Sequence, residues 1–258
     1  MFLKMLKAYK ELGYDIHLGN NLLYAAGISK EDKMLIAGGG ISQTDINFFV
    51  GLSRLFVPDN IFVIGNSFGY STCILAELFP NSNIDVIDFG QEGEFNSVGN
   101  DITKKICAKY YTNVQLTQGR SPEELKSAMR YEKYQLVFID GEHTDRQQLA
   151  DFFGTLPFAA DNCVYYLHDV ELWNIQKSFN YIKERSKEFN FSGYNVDFTV
   201  FGCKSLVRGY PEIEEWLQFI DKSPVENLNK PFASFRGENF TEENLINAHI
   251  DEEEMKKY

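Results

Sequence analysis

Between residues 61 and 167 a short apolar run, a turn and a helical stretch succeed one another five times. The runs cover 61–64, 83–88, 114–117, 135–139 and 163–167. Ile61-Phe62-Val63-Ile64 is apolar without a break, as a strand covered on both faces has to be. Strands that alternate with helices in series are connected by crossovers, and crossovers make neighbouring strands parallel. The expected architecture is therefore an α/β doubly wound, mostly parallel sheet with its ligand at the carboxyl ends of the strands. Helices are expected near 71–79, 102–111, 122–130 and 145–156, and again after 167. In that last helix Leu172, Ile175, Phe179 and Ile182 share a stripe with Trp173 at its edge. Residues 196–206 alternate loosely and supply the remaining one or two strands of a seven-stranded sheet.

Three regions follow. Residues 1–57 read as a helical N-terminal cap: an amphipathic helix over about 2–12, a break at Gly38-Gly39-Gly40, and a helix to Leu55 with N-caps available among Ser42, Thr44 and Asp45. Residues 58–208 hold the sheet. Residues 209–258, with Glu212, Glu214, Glu215 and the run Asp251-Glu252-Glu253-Glu254, read as an acidic helical C-terminal appendage. Amphipathic helices outside a complete sheet must bury their apolar stripes, so both are expected to cap its open end, and one to form a homodimer contact.

Charge narrows the partners. Lys plus Arg is 25 against 37 for Asp plus Glu, a net charge of −12, which repels a phosphate backbone and argues against nucleic acid. No stretch of about 18 apolar residues is present for a membrane span. The N-terminus places Lys4 and Lys7 inside its apolar part and does not read as a signal peptide. Cys73, Cys107, Cys163 and Cys203 are scattered without metal-ligand spacing, which fits buried thiols in a reducing cytoplasm.

The chemistry-bearing residues fall at the strand ends. The first strand runs into Gly65-Asn66-Ser67-Phe68-Gly69-Tyr70-Ser71-Thr72, a turn whose glycines admit a ligand close to the backbone, ahead of a helix N-terminus. The spacing G-x-x-x-G is not the G-x-G-x-x-G of a dinucleotide site. The second strand ends in Asp88, placed where an acid accepts hydrogen bonds from a ribose diol. The third ends in Thr117-Gln118-Gly119-Arg120-Ser121, the fourth in Asp140-Gly141-Glu142-His143 and the fifth in His168-Asp169. Two of the chain's four histidines thus lie beside carboxylates on one rim.

Together these residues resemble the class I S-adenosylmethionine-dependent methyltransferases with their Rossmann-like fold, above all small-molecule O-methyltransferases with a F-I-D-G-x-H strand end. The resemblance spans about residues 61–169, and its most specific parts are Phe138-Ile139-Asp140-Gly141-Glu142-His143 and Leu167-His168-Asp169. It implies that Gly65, Asn66, Ser67 and Gly69 wrap the methionine end of S-adenosylmethionine, with Ser71 at the helix N-terminus beside them. It further implies that Asp88 holds the ribose, that Phe89, Arg120 and Ser121 flank the adenine, and that Asp140 lies under the sulfonium and the acceptor. Two positions depart from the family pattern. Val63 stands where an acid is usual, and Phe158-Ala159-Ala160-Asp161-Asn162 replaces a Pro-Gly-Gly turn.

Methyl transfer to a hydroxyl requires removal of its proton, by a base or with the help of a metal ion. His143 and His168 are the candidate bases. His143 is favoured because its loop position gives it reach, while His168 lies close to the sheet. Asp140 and Asp169 are the candidate ligands of a divalent ion, Mg2+ by their oxygen chemistry. Val170 occupies the place of a further ligand in some relatives, which leaves no third ligand evident. The acceptor is expected to be a small molecule, a sugar or a natural product. Two other readings stand beside this one: a cofactor-binding interaction protein without catalysis, and a nicotinamide-dependent oxidoreductase on a similar sheet.

Overall fold

The computed structural model describes residues 2–18, 26–31, 33–91, 97–196, 199 and 202–221. Helix α1 (Leu3–Glu11) leads into three strands, β1 (Asp15–Leu18), β2 (Ala26–Lys30) and β3 (Lys33–Gly39), followed by α2 (Gln43–Leu55). The three strands pair antiparallel in the order β1-β2-β3. Residues 1–57 are therefore not a purely helical cap. The strand Lys33–Gly39 runs into the glycines that sequence reasoning took for a simple break, because its backbone pairs with β2 out to Gly39. Helix α2 begins at a capping box in which Ser42 and Asp45 satisfy each other's backbone N–H groups.

The main sheet contains β4 (Asn60–Ile64), β5 (Asn83–Asp88), β6 (Val114–Gln118), β7 (Tyr134–Ile139), β8 (Ala159–Leu167), β9 (Ser192–Val196) and β10 (Cys203–Arg208). Its order is β6-β5-β4-β7-β8-β10-β9. Strands β4 to β8 pair parallel, and β10 runs antiparallel to both β8 and β9. The connections reverse direction between β4 and β7, which opens a crevice above their carboxyl ends.

Helices α3 (Tyr70–Leu78), α4 (Val98–Tyr110), α5 (Leu125–Ala128), α6 (Asp145–Thr155), α7 (Gln176–Glu184) and α8 (Ser186–Phe189) connect these strands. Two buried clusters cover the sheet, one around Ile61, Val63, Phe138 and Tyr166, the other around Phe62, Ile64, Val137 and Tyr165, as alternation along buried strands requires. The expected helix at 122–130 shrinks to α5. The helix after β8 begins at Gln176, because Asp169 and Asn174 adopt positive φ (57° each) and residues 169–175 form a turn held by the Ile175 N–H donating to the Val170 carbonyl. Leu172 thus lies off the predicted stripe.

Helix α9 (Pro211–Asp221) corrects the picture of a separate appendage. It buries Ile213 and Leu217, and the Asn195 N–H donates to the Asp221 carboxylate across 2.9 Å, which fastens the helix to β9. Trp216 stacks near Phe48 of α2, ring centroids 5.2 Å apart. The remaining acidic segment, 222–258, lies outside the described residues. Among the described residues no helix is long and apolar enough to cross a membrane.

Candidate active site

The parallel ladder continues one residue past each strand and so lines up the rim. The Gly65 N–H donates to the Ile87 carbonyl, that of Gly119 to Asp88, that of Asp140 to Ile64 and that of His168 to Ile139, at 2.8–3.0 Å. Residues far apart in sequence are set side by side by this continuation, within the spacing of neighbouring strands.

At the first strand end Gly65 (φ +93°) needs its missing side chain, because a Cβ there would overlap the carbonyl of Asp140. Gly69 (φ +83°) caps α3 against Thr103, whose hydroxyl a Cβ would likewise meet. Asn66 is buried and turned inward. Its amide nitrogen donates to the Ser67 carbonyl, Asn100 Oδ1 and Thr103 Oγ1, and its Oδ1 accepts from Thr72. The Asn66 side chain therefore pins the turn from below and is not offered to a cofactor. Ser71 is also buried, in the first turn of α3. Tyr9 of α1 donates to the Phe68 carbonyl at 2.5 Å, so the N-terminal helix braces the same turn.

The Asp88 carboxylate accepts N–H bonds from Asn66 (2.7 Å), Ser67 (3.2 Å) and Gly90 (2.6 Å). These bonds fix its orientation at the mouth of the turn. Next to it Phe89 is 47% exposed, and the Arg120 guanidinium lies over its ring at 5.5 Å. Ser121 is close by, but its hydroxyl donates to Asp151 of α6. The residues expected around a nucleoside thus share one end of the rim.

At the other end stand three carboxylates and two imidazoles. His168 is 2% exposed, with Nδ1 2.9 Å from Asp140 Oδ1 and 3.1 Å from Asp169 Oδ1. Its Nε2 faces Asp45 Oδ2 at 3.4 Å. Burial alone would lower its pKa; the charges of Asp140 and Asp169, with that of Asp45, raise it well above the ordinary histidine value. Asp45 is wholly buried and also accepts from the Ser42 N–H (2.7 Å), the Tyr166 hydroxyl (2.6 Å) and the Cys203 thiol (3.2 Å). Burial pushes its pKa up, but His168 and these hydrogen bonds outweigh that and hold it below the usual carboxylate range.

His143 is more open, with 28% of its side chain exposed. Its Nε2 is 3.4 Å from both Asp140 Oδ1 and Asp169 Oδ2, and its ring lies parallel to Trp173 with centroids 5.1 Å apart. Burial lowers its pKa, while the Asp140 hydrogen bond and the Asp169 charge raise it to a net upward shift. Asp140 is depressed: against its burial, the charge of His168 and the bond from His143 keep it ionised. Asp169 is raised, first by burial and then by the charges of Asp140 and Asp45, with both histidines opposing. Its Oδ1 makes no aligned hydrogen bond although His168 Nδ1 is in ion-pair range.

Asp140, His143 and Asp169 each offer a donor atom, all within 4.8 Å of one another. The third ligand that Val170 fails to supply is thus within reach from the β7–α6 loop, a position that strand-end spacing does not reveal. Asp45, Tyr166, Cys203 and Trp173 were also missed. Only Asp45 had a signal, as a helix N-cap, and that signal says nothing of the ring it faces.

Residues 62–170 match the sequence profile of a family described as a methyltransferase domain. No curated protein matches the chain. Among solved structures, an O-methyltransferase from Bacillus cereus in complex with S-adenosylhomocysteine is similar at 20% identity over 66% of this chain and 83% of its own, TM-score 0.51. The O-methyltransferase TomG from Streptomyces achromogenes, involved in tomaymycin synthesis and solved with S-adenosylmethionine, is similar at 17% identity over 81% and 89%, TM-score 0.53. These two likenesses are of fold, with the same seven-stranded sheet and flanking helices. The profile match runs over the strand ends that carry Gly65, Asp88, Asp140 and Asp169, so residues 62–170 of this chain are similar to a methyltransferase domain and lie on a Rossmann-like sheet.

Proposed function

We propose that the protein methylates a hydroxyl of a small molecule, a sugar or a natural product. The observation that carries this reading is the cluster of Asp140, His143 and Asp169, set one strand away from the glycine turn at Gly65. S-adenosylmethionine supplies the activated methyl group when bound. The chain's own part is to position and to move a proton. The turn 65–72 and Asp88 hold the methionine end and the ribose, and Phe89 with Arg120 covers one face of the adenine. Asp140, kept ionised by His168, orients the acceptor hydroxyl. His143, stacked on Trp173 and 28% exposed, takes the proton; Asp169 stabilises the imidazolium that results. The solved relative TomG, which serves the synthesis of a natural product, supports a small acceptor.

The donor set also fits a divalent ion: two carboxylates, one carrying a buried oxygen without a hydrogen bond, and one imidazole nitrogen. Asp140, Asp169 and His143 would hold it, and its charge would favour the ionised form of a nearby hydroxyl. A second reading is favoured by Val63, buried in the sheet where the family usually carries an acid: a domain that binds the cofactor without turning it over. Calorimetry with S-adenosylhomocysteine, with NAD and with buffer tests cofactor choice, and binding of NAD alone would refute the proposal. Turnover against a panel of hydroxyl acceptors then separates enzyme from binding protein.

A further inference from the structure

Asp151 of α6 lies behind the loop that follows β6 and is completely buried. Its Oδ1 accepts from the Ser121 hydroxyl and, at 2.8 Å, from Gln147 Nε2. The same Gln147 nitrogen donates to the Ser121 carbonyl at 2.8 Å. Two hydrogen bonds therefore tie Ser121 to successive turns of the helix, and a third joins Gln147 to Asp151, whose i, i+4 spacing puts them on one face. One residue earlier, the Arg120 N–H is held by Glu124 Oε2 at 2.8 Å. The bonds to Ser121 and Arg120 act on the segment whose guanidinium covers Phe89.

The other carboxylate oxygen, Oδ2, is buried and has no hydrogen-bond partner among the described residues. It sits against the loop after β7, where a Cβ on Gly141 would approach it to 3.3 Å. An acid placed in the second turn of an amphipathic helix would ordinarily face water. Here it is held away from water, at a cost in desolvation, between the loop after β6 and the loop after β7. Burial pushes its pKa up to about 7, with Ser121 and Gln147 opposing, and Glu142 and Glu123 adding to the rise. A carboxylate that only packed the helix would not need this arrangement, since an apolar side chain would do as well.

We propose that Asp151, with Gln147, is a positioning residue for the nucleobase: it clamps Ser121 so that the loop 119–121 presents a fixed edge to adenine. This rests on the reading of the rim as the cofactor site. The Ser121 hydroxyl is occupied by Asp151, and the N–H groups of Gly119 and Arg120 by Asp88 and Glu124, so the Ser121 N–H is the loop donor left to meet the base. A fixed backbone edge distinguishes adenine from hypoxanthine, in which the donor at position 6 becomes an acceptor and the acceptor at position 1 becomes a donor.

Calorimetry of the full chain with S-adenosylhomocysteine and with S-inosylhomocysteine tests this. In Asp151→Ala the affinity for S-adenosylhomocysteine should fall about 10-fold or more, and the preference for adenine over hypoxanthine should fall with it. Asp151→Asn keeps an acceptor for Ser121 and should restore both. Ser121→Ala releases the clamp from its less buried side and should reproduce the loss of preference even where Asp151→Ala does not fold. A folded Asp151→Ala protein with unchanged affinity and unchanged preference would overturn the proposal and leave Asp151 a packing residue. Wild-type protein that does not bind S-adenosylhomocysteine would overturn the reading of the rim itself, and the clamp with it.

Discussion

Asp45 and His168 face each other across 3.4 Å although 123 residues separate them, and both are buried. Asp45 belongs to α2, outside the stretch that matches the methyltransferase profile, and His168 belongs to the end of β8 inside it. The N-terminal segment is therefore wired into the acid cluster of the rim, through a ring whose opposite nitrogen meets Asp140 at 2.9 Å.

Removing the Asp45 charge deprives the buried Nε2 of His168 of the carboxylate it faces, while Asp140 and Asp169 remain at the other ring nitrogen. Asp45→Asn should lower unfolding stability by about 3–5 kcal/mol. Ser42→Ala, which removes the helix cap and a hydroxyl bond to Asp45 but leaves the carboxylate facing His168, should cost about 0.5–2 kcal/mol. Urea unfolding of the two variants checks this, and equal losses would show that the ion pair adds nothing to the cap.

Asp88 is held by three backbone N–H groups, two on Oδ2 and one on Oδ1. Asp88→Ala should weaken S-adenosylhomocysteine binding by about 1.5–3 kcal/mol, the range for a hydrogen bond to a charged group. Calorimetry measures it, with circular dichroism to confirm the fold. Undiminished affinity would move the ribose elsewhere.

His143→Ala should reduce turnover by about 10²–10⁴ and leave cofactor affinity nearly unchanged, because the ring contacts Asp140, Asp169 and Trp173 and lies apart from the turn at 65–72 proposed to hold the cofactor. A chelator should be run in parallel. If chelation stops methyl transfer and the variant does not, the divalent ion carries the deprotonation and the histidine does not.

Asp151 gives a pH signature. Its folded pKa of about 7 lies above the ordinary carboxylate value of 3.8. Between those values the native state binds more protons than the unfolded one, so this group makes stability fall as pH rises, by up to about 1.4 kcal/mol per pH unit. Asp151→Asn should remove that part of the slope between about pH 4 and pH 7. Thermal unfolding across that range decides it, and parallel slopes in variant and wild type would contradict the raised pKa.

The strand runs, the glycine turn and the acids at the strand ends could be read from the residues because each is local. An unbroken apolar run specifies a strand covered on both faces, a serial β–helix alternation specifies parallel pairing, and parallel pairing brings every strand's carboxyl end to one rim. Gly65, Asp88, Asp140 and His168 were placed together by that logic alone. Asp45 beside His168, His143 as a third donor with Asp140 and Asp169, and Asp151 behind Ser121 could not be. Their partners lie on other elements, and which face of α2 or α6 turns inward depends on packing against the finished sheet. The antiparallel strands of residues 15–39 were hidden for the same reason: short strands with glycines have little signature until a neighbour accepts their backbone hydrogen bonds.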